Sequence, residues 1–158
     1  TAILLVKYWI TANQLVNEFI FEIEKRRHFL VFGITSAIFL ILHSIFLGIS
    51  FEHDLYKFFR RFILLTFIVF EIAAQALLVI TLYKIKDDIS KIINKKILIL
   101  KILLVSILIV TALASLPILT SSGNVVFKHA LEWNYFIGVV LFYLLTFFFW
   151  KAQKNQKF

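Results

Sequence analysis

Glu71 and His43 are ionisable side chains inside long apolar stretches, where they could bind a proton or form buried hydrogen bonds. Glu71 lies in the run 66–80, TFIVFEIAAQALLVI, and His43 lies in the run 29–50. Gln75 follows Glu71 by four residues, so the two side chains share one face of a helix. Ionisable groups in apolar helices either pair with polar groups of neighbouring helices or carry protons and ions. Both kinds of chemistry are therefore candidates here.

Depth along the helices places polar side chains of four apolar runs at a similar level. With a rise of about 1.5 Å per residue, Glu71 lies about 15 Å and His43 about 12 Å from the outer face of the predicted membrane. Polar groups that faced lipid would be unsatisfied, so we expect them to point into a helical bundle. The predicted polar layer consists of His43, Glu71, Gln75, Ser106, Thr111 and Tyr143.

Histidines provide the candidate sites for a metal or a haem. Two neutral imidazoles on separate helices can hold a haem b iron, and His43 with His129 would form such a pair. His53 and Glu132 lie in two outer loops and, together with His129, would suit a divalent metal. Ordinary polar loops contain the same residue types. We therefore expect no cofactor, with haem b or a divalent metal as the alternatives.

Composition places these residues in a membrane protein rather than in a soluble enzyme. Apolar residues make up 61% of the 158 residues, and the mean hydropathy is +0.94. A chain this small cannot hide so much apolar surface inside itself. The absence of cysteine excludes disulfides and thiolate sites. The sequence shows no nucleophile with a partnered base and no glycine-rich phosphate loop, so the balance is against an enzyme.

Four apolar runs are long enough to cross a bilayer as helices, which needs about 20 residues. They cover about 29–50, 62–83, 97–119 and 131–150. The runs do not alternate as the strands of a membrane barrel would. The sequence therefore predicts an all-α, integral membrane four-helix bundle within residues 28–158.

The segment 1–27 has a different pattern and is expected to form an amphipathic helix at the membrane interface. Its polar residues recur every three or four positions, which places them along one stripe of a helix. Burying that stripe in hydrocarbon would be costly, so a fifth span is the less favoured alternative. The stripe consists of Lys7, Thr11, Gln14, Glu18, Glu22 and Lys25.

Basic residues cluster on one side of the predicted membrane, which places both termini and the 84–96 loop in the cytoplasm. The expected location is a bacterial inner membrane or an organellar inner membrane. Because the basic residues flank the spans, lipid headgroups are the expected partners and nucleic acid is not. The predicted headgroup anchors are Lys57, Arg60, Arg61, Lys101, Trp133 and Trp150.

Three functional hypotheses follow. The first is a non-catalytic accessory or structural subunit, bound to other integral membrane subunits of a larger complex. The second is a proton- or ion-coupled transporter or conducting protein that uses Glu71 and His43. The third is a haem b electron-transfer protein that uses His43 and His129.

Overall fold

The computed structural model describes residues 2–19, 28–48, 54–120 and 125–150, and these residues are almost entirely helical. The helices are α1 (Ala2–Phe19), α2 (His28–Leu47), α3 (Asp54–Lys84), α4 (Lys95–Thr120) and α5 (Val125–Phe149). Within the described ranges, four helices are long and apolar enough to cross a membrane. These are His28–Leu47, Phe58–Lys84, Lys95–Ser115 and Val126–Phe149. The predicted all-α class and the four long apolar helices are confirmed.

The chain divides into two compact units, Thr1–Leu78 and Val79–Phe158. In the first unit, α1 packs on α2 through one apolar face. Trp9 is fully buried and lies against Phe29, with 6.4 Å between the ring centroids. The indole also covers Gly33, where an added Cβ would overlap the indole ring atoms. Glycine at this position therefore allows the two helices to approach closely.

The exposed side of α1 carries both polar and apolar side chains. Four residues of the predicted polar stripe are exposed, but so are the apolar residues Ile3, Leu4 and Ile10. The helix covers residues 2–19 of the segment in which an amphipathic helix was expected. The exposed stripe residues are Lys7, Thr11, Gln14 and Glu18, while Glu22 and Lys25 lie outside the described residues.

Aromatic side chains join α2 to α3 in the same unit. Phe39 stacks on Phe70 with 6.0 Å between the ring centroids, and Phe46 meets Phe59 edge-on at 5.3 Å. The hydroxyl of Tyr56 donates a hydrogen bond to the carbonyl of Phe46. Residues late in α2 meet residues early in α3, so the two helices run antiparallel.

In the second unit, α4 and α5 form an antiparallel pair. Buried positions on α4 recur at alternating steps of three and four residues, with Ala112 half-buried. This spacing is that of a coiled-coil seam, in which each side chain fits between side chains of the facing helix. The fully buried members of the seam are Leu98, Lys101, Val105, Leu108 and Ser115.

The segment between α3 and α4 closes one end of this pair. It forms turns and buries Ile85, Ile89 and Ile93, each four residues from the next. The backbone N–H of Asn94 donates to the carbonyl of Phe149 at 2.8 Å. The start of α4 is thereby tied to the end of α5.

Candidate functional site

A carboxylate, a hydroxyl and an amide meet in the interior of the first unit. Ser36 on α2 donates through Oγ to Oε2 of Glu71 on α3, at 2.5 Å. Gln75 donates through Nε2 to Oε1 of the same carboxylate, at 3.0 Å. All three residues have a relative exposure of 0%. Both carboxylate oxygens therefore accept a hydrogen bond away from solvent.

Local helical geometry positions each member of this cluster. Gln75 lies four residues beyond Glu71, so both side chains leave α3 on the same face. Ser36 lies three residues beyond Gly33, and its Oγ is also 2.8 Å from the carbonyl oxygen of Gly33. Gly33 itself is the residue covered by Trp9. The cluster and the contact between α1 and α2 thus share one turn of α2.

His43, another member of the predicted polar layer, lies seven residues from Ser36 along α2. Seven residues correspond to two turns, or about 10 Å along the helix axis. Ser36, which the predicted polar layer does not include, contacts Glu71 directly. The sequence contains one signal for Ser36, its spacing of three residues from Gly33, and Ser115 has the same spacing from Ala112.

The remaining members of the predicted polar layer belong to the second unit. Ser106 is exposed on α4, whereas Thr111 and Tyr143 are half-buried. A different pair is buried in that unit, since the hydroxyls of Ser115 and Tyr135 lie 2.9 Å apart. Polar contacts inside the units therefore involve Ser36, Ser115 and Tyr135, which the sequence analysis did not select.

Lys101 lies in the seam between α4 and α5. Its exposure is 1%, and Nζ donates to Oγ1 of Thr146 at 2.7 Å. Nζ also lies 4.2 Å from the ring centroid of Phe142 and 5.2 Å from that of Phe149. From its place near a helix end, this side chain was predicted to reach the headgroups. In the structure it points into the second unit instead.

The other predicted headgroup anchors are wholly or partly exposed where the structure describes them. Trp133 is 66% exposed and Trp150 is 41% exposed. Arg60 and Arg61 are half-buried, and the side chain of Lys57 lies outside the described part. Their contact with lipid stays a prediction.

The predicted metal and haem ligands are distributed over both units. His129 Nδ1 lies 3.1 Å from Oε2 of Glu132, one turn along α5. His43 belongs to the first unit and His129 to the second, and His53 lies outside the described residues. Across the described ranges, no group of three or more His, Cys, Asp or Glu side chains could hold a metal ion.

No family model matches the chain, and neither the curated proteins nor the solved structures contain a match. The site must therefore be interpreted from its own chemistry. A buried carboxylate with two hydrogen-bond donors, one from each of two helices, can fix the register of those helices. The same oxygen-rich arrangement can also bind a small cation or a proton.

We expect Glu71→Leu to lower the free energy of unfolding by about 1–3 kcal/mol, because the Ser36 hydroxyl and the Gln75 amide lose their acceptor. Glu71→Gln keeps the shape of the side chain and one acceptor, so its cost should be smaller, about 1 kcal/mol. Reversible unfolding in mixed micelles measures the change in unfolding free energy for both variants. The matched control is Glu18→Gln, at an exposed carboxylate of the same unit. A Glu71→Leu protein as stable as the original would contradict a structural role for the cluster.

Proposed function

We propose that this chain is a non-catalytic accessory or structural subunit of a larger integral membrane complex. The observation that carries the proposal is the pairing of polar groups within each unit. Glu71 bonds to Ser36 and Gln75, and Lys101 bonds to Thr146. The bonds from Ser36 to Glu71 and from Lys101 to Thr146 join one helix to another, and many apolar side chains are left exposed.

The outward faces of the long helices support membrane residence. Val69 on α3 is 64% exposed, Val110 on α4 is 65% exposed and Phe147 on α5 is 80% exposed. Large continuous apolar surfaces of this kind are covered by lipid or by other apolar helices in functional proteins. The four candidate spans provide the length that such burial needs.

The distribution of charge supports an orientation for these spans. The segment between α3 and α4, together with the adjoining helix ends, carries exposed lysines that the positive-inside rule places in the cytoplasm. They are Lys84, Lys91, Lys95 and Lys96. An even number of spans places both ends of the four-helix region on that side. In this arrangement α1 lies at the cytoplasmic interface, with its exposed polar stripe toward water and headgroups.

Native mass spectrometry of the protein, extracted gently from its own membrane, tests the proposal. We expect the chain to appear in stoichiometric assembly with larger subunits. A lone chain or a homo-oligomer would contradict the accessory role and favour transport. An adduct with the mass of haem would favour the haem b hypothesis.

Site-directed photocrosslinking locates the contact on the surface of the chain. A photoreactive residue at Phe147 is expected to form a crosslink to a specific subunit if α5 contributes to the interface. The same residue at Phe142, which is fully buried, is the matched control and should form crosslinks only within the chain. Lipid adducts at every exposed position, with no protein adduct, would contradict assembly through these faces.

A second candidate function is proton- or ion-coupled transport that depends on Glu71. It is favoured by one observation, a fully buried carboxylate within a candidate span. In this case Glu71→Gln should abolish pH-dependent flux in proteoliposomes while assembly is retained. Loss of assembly without any flux in the original protein would return Glu71 to a structural role.

A further inference from the structure

We propose that Ser36, Glu71 and Gln75 form a binding site for a small dehydrated monovalent cation, for which Na⁺ is the probe. The site lies between α2 and α3 in the first unit. The proposed cation site is independent of the accessory role, because it depends only on the contacts among these three side chains.

Each neutral member of the cluster donates to the carboxylate and keeps an oxygen lone pair that can bind a cation. The Ser36 hydroxyl donates to Glu71 Oε2, and hydroxyl oxygen retains acceptor capacity when it donates. Gln75 donates through Nε2 to Glu71 Oε1, which leaves its own Oε1 as a carbonyl-type ligand. Ligation therefore needs no change in the hydrogen bonds that the structure shows.

The state of the Gln75 amide oxygen is a second observation that supports the site, independent of the hydrogen bonds to the carboxylate. Gln75 is 0% exposed, and its Oε1 is buried without a hydrogen-bond partner in the part of the chain that the structure describes. Buried carbonyl oxygens are nearly always hydrogen-bonded or bound to an ion or water, because desolvation otherwise destabilises the folded state. An ion beside the carboxylate would satisfy this oxygen.

The ligand types and the charge specify the class of ion. Carboxylate, hydroxyl and amide oxygens are hard ligands that bind alkali and alkaline-earth cations rather than soft metals. The three side chains of the cluster include one carboxylate, so a monovalent cation would neutralise the cluster. A divalent cation would leave a net positive charge in apolar surroundings, which is costly.

The first experiment measures thermal unfolding of the purified full chain in lipid nanodiscs, in NaCl or in choline chloride of equal ionic strength. Choline is too large for a site formed by these three side chains. Above half-saturation, a tenfold increase in Na⁺ should raise the unfolding midpoint by about 3–6 °C, whereas choline should not. Equal midpoints in the two salts at every concentration would overturn the proposal.

Variants then assign the effect to the cluster. Ser36→Ala, Gln75→Leu and Glu71→Gln each remove one ligand or the charge, and each should abolish the difference between NaCl and choline chloride. Thr66→Val is the matched control, since Thr66 lies on α3 in the same unit and bonds to the carbonyl of Phe62. It should retain the full difference. A Na⁺ effect that persists in all three cluster variants would place the ion elsewhere and overturn the proposal.

Direct binding of ²²Na⁺ provides a readout that does not depend on unfolding. We expect saturable binding by the original chain and by Thr66→Val, and at least tenfold weaker binding by Glu71→Gln. Because the cluster is fully buried, samples should be equilibrated for hours before separation of free ion. Saturable ²²Na⁺ binding of equal strength in Glu71→Gln and the original protein would also overturn the proposal.

Discussion

Gly33→Ala is expected to lower the free energy of unfolding by about 1–3 kcal/mol, because a side chain at this position overpacks the contact between α1 and α2. An alanine Cβ would overlap central atoms of the Trp9 indole. The indole is rigid and fully buried, so the helices themselves would have to move apart. Unfolding in mixed micelles, monitored by tryptophan fluorescence, measures the change.

Two other glycines provide graded controls for this prediction. At Gly48, the nearest atom to an added Cβ is the backbone oxygen of Ile45 at 3.6 Å, an ordinary contact, so Gly48→Ala should have little effect. At Gly138, the overlap is with a terminal methyl group of Leu108, which can rotate, so the cost should be intermediate. Gly33→Ala combined with Trp9→Ala should lose less stability than the sum of the single changes. Additive losses would contradict direct contact.

Lys101→Met is expected to raise the free energy of unfolding by about 1–3 kcal/mol. Methionine fills a similar volume in the seam between α4 and α5 and removes the cost of holding an amino group away from water. Thr146→Val should have the opposite effect and cost about 1–3 kcal/mol, because Nζ then loses its hydroxyl acceptor. Reversible unfolding of the two variants measures both changes.

A double-mutant cycle separates this interpretation from a general effect on α5. In the Lys101→Met background, Thr146→Val should be nearly neutral, since no donor remains to be satisfied. Thr146→Ser keeps the hydroxyl and should be close to the original protein. If Lys101→Met is instead destabilising by more than about 1 kcal/mol, the buried contact with Thr146 is a net stabilising feature and the prediction is wrong.

Hydrophobic length was sufficient to predict the helices. A run of about 20 apolar residues has few alternatives to a helix, and the four predicted runs correspond to α2, α3, α4 and α5. The pairing of Glu71 with Gln75 was also predictable, because it depends only on a spacing of four residues in one helix. Local geometry determines both features.

Contacts between helices were not predictable in the same way. Which residue of α2 contacts Glu71 depends on the relative register of α2 and α3, and the sequence alone did not point to Ser36. That register is determined by side-chain packing, such as the stacking of Phe39 on Phe70, which no single-helix pattern encodes. The observed position of Lys101 differs from the predicted one for a similar reason. Its position near a helix end favours the headgroups, whereas Thr146 and Phe142 of a second helix provide an inward alternative.

The pairing of Lys101 with Thr146 also sets an order of events during synthesis. The two residues are 45 positions apart, so the ribosome makes the lysine well before its hydroxyl partner. At about 5–20 residues per second, the delay is about 2–9 s. During that interval α4 has no α5 to pack against, and the bond from Asn94 to Phe149 cannot form either. In the nascent chain, the amino group of Lys101 therefore has no Thr146 hydroxyl to bind until the last turns of α5 have been made.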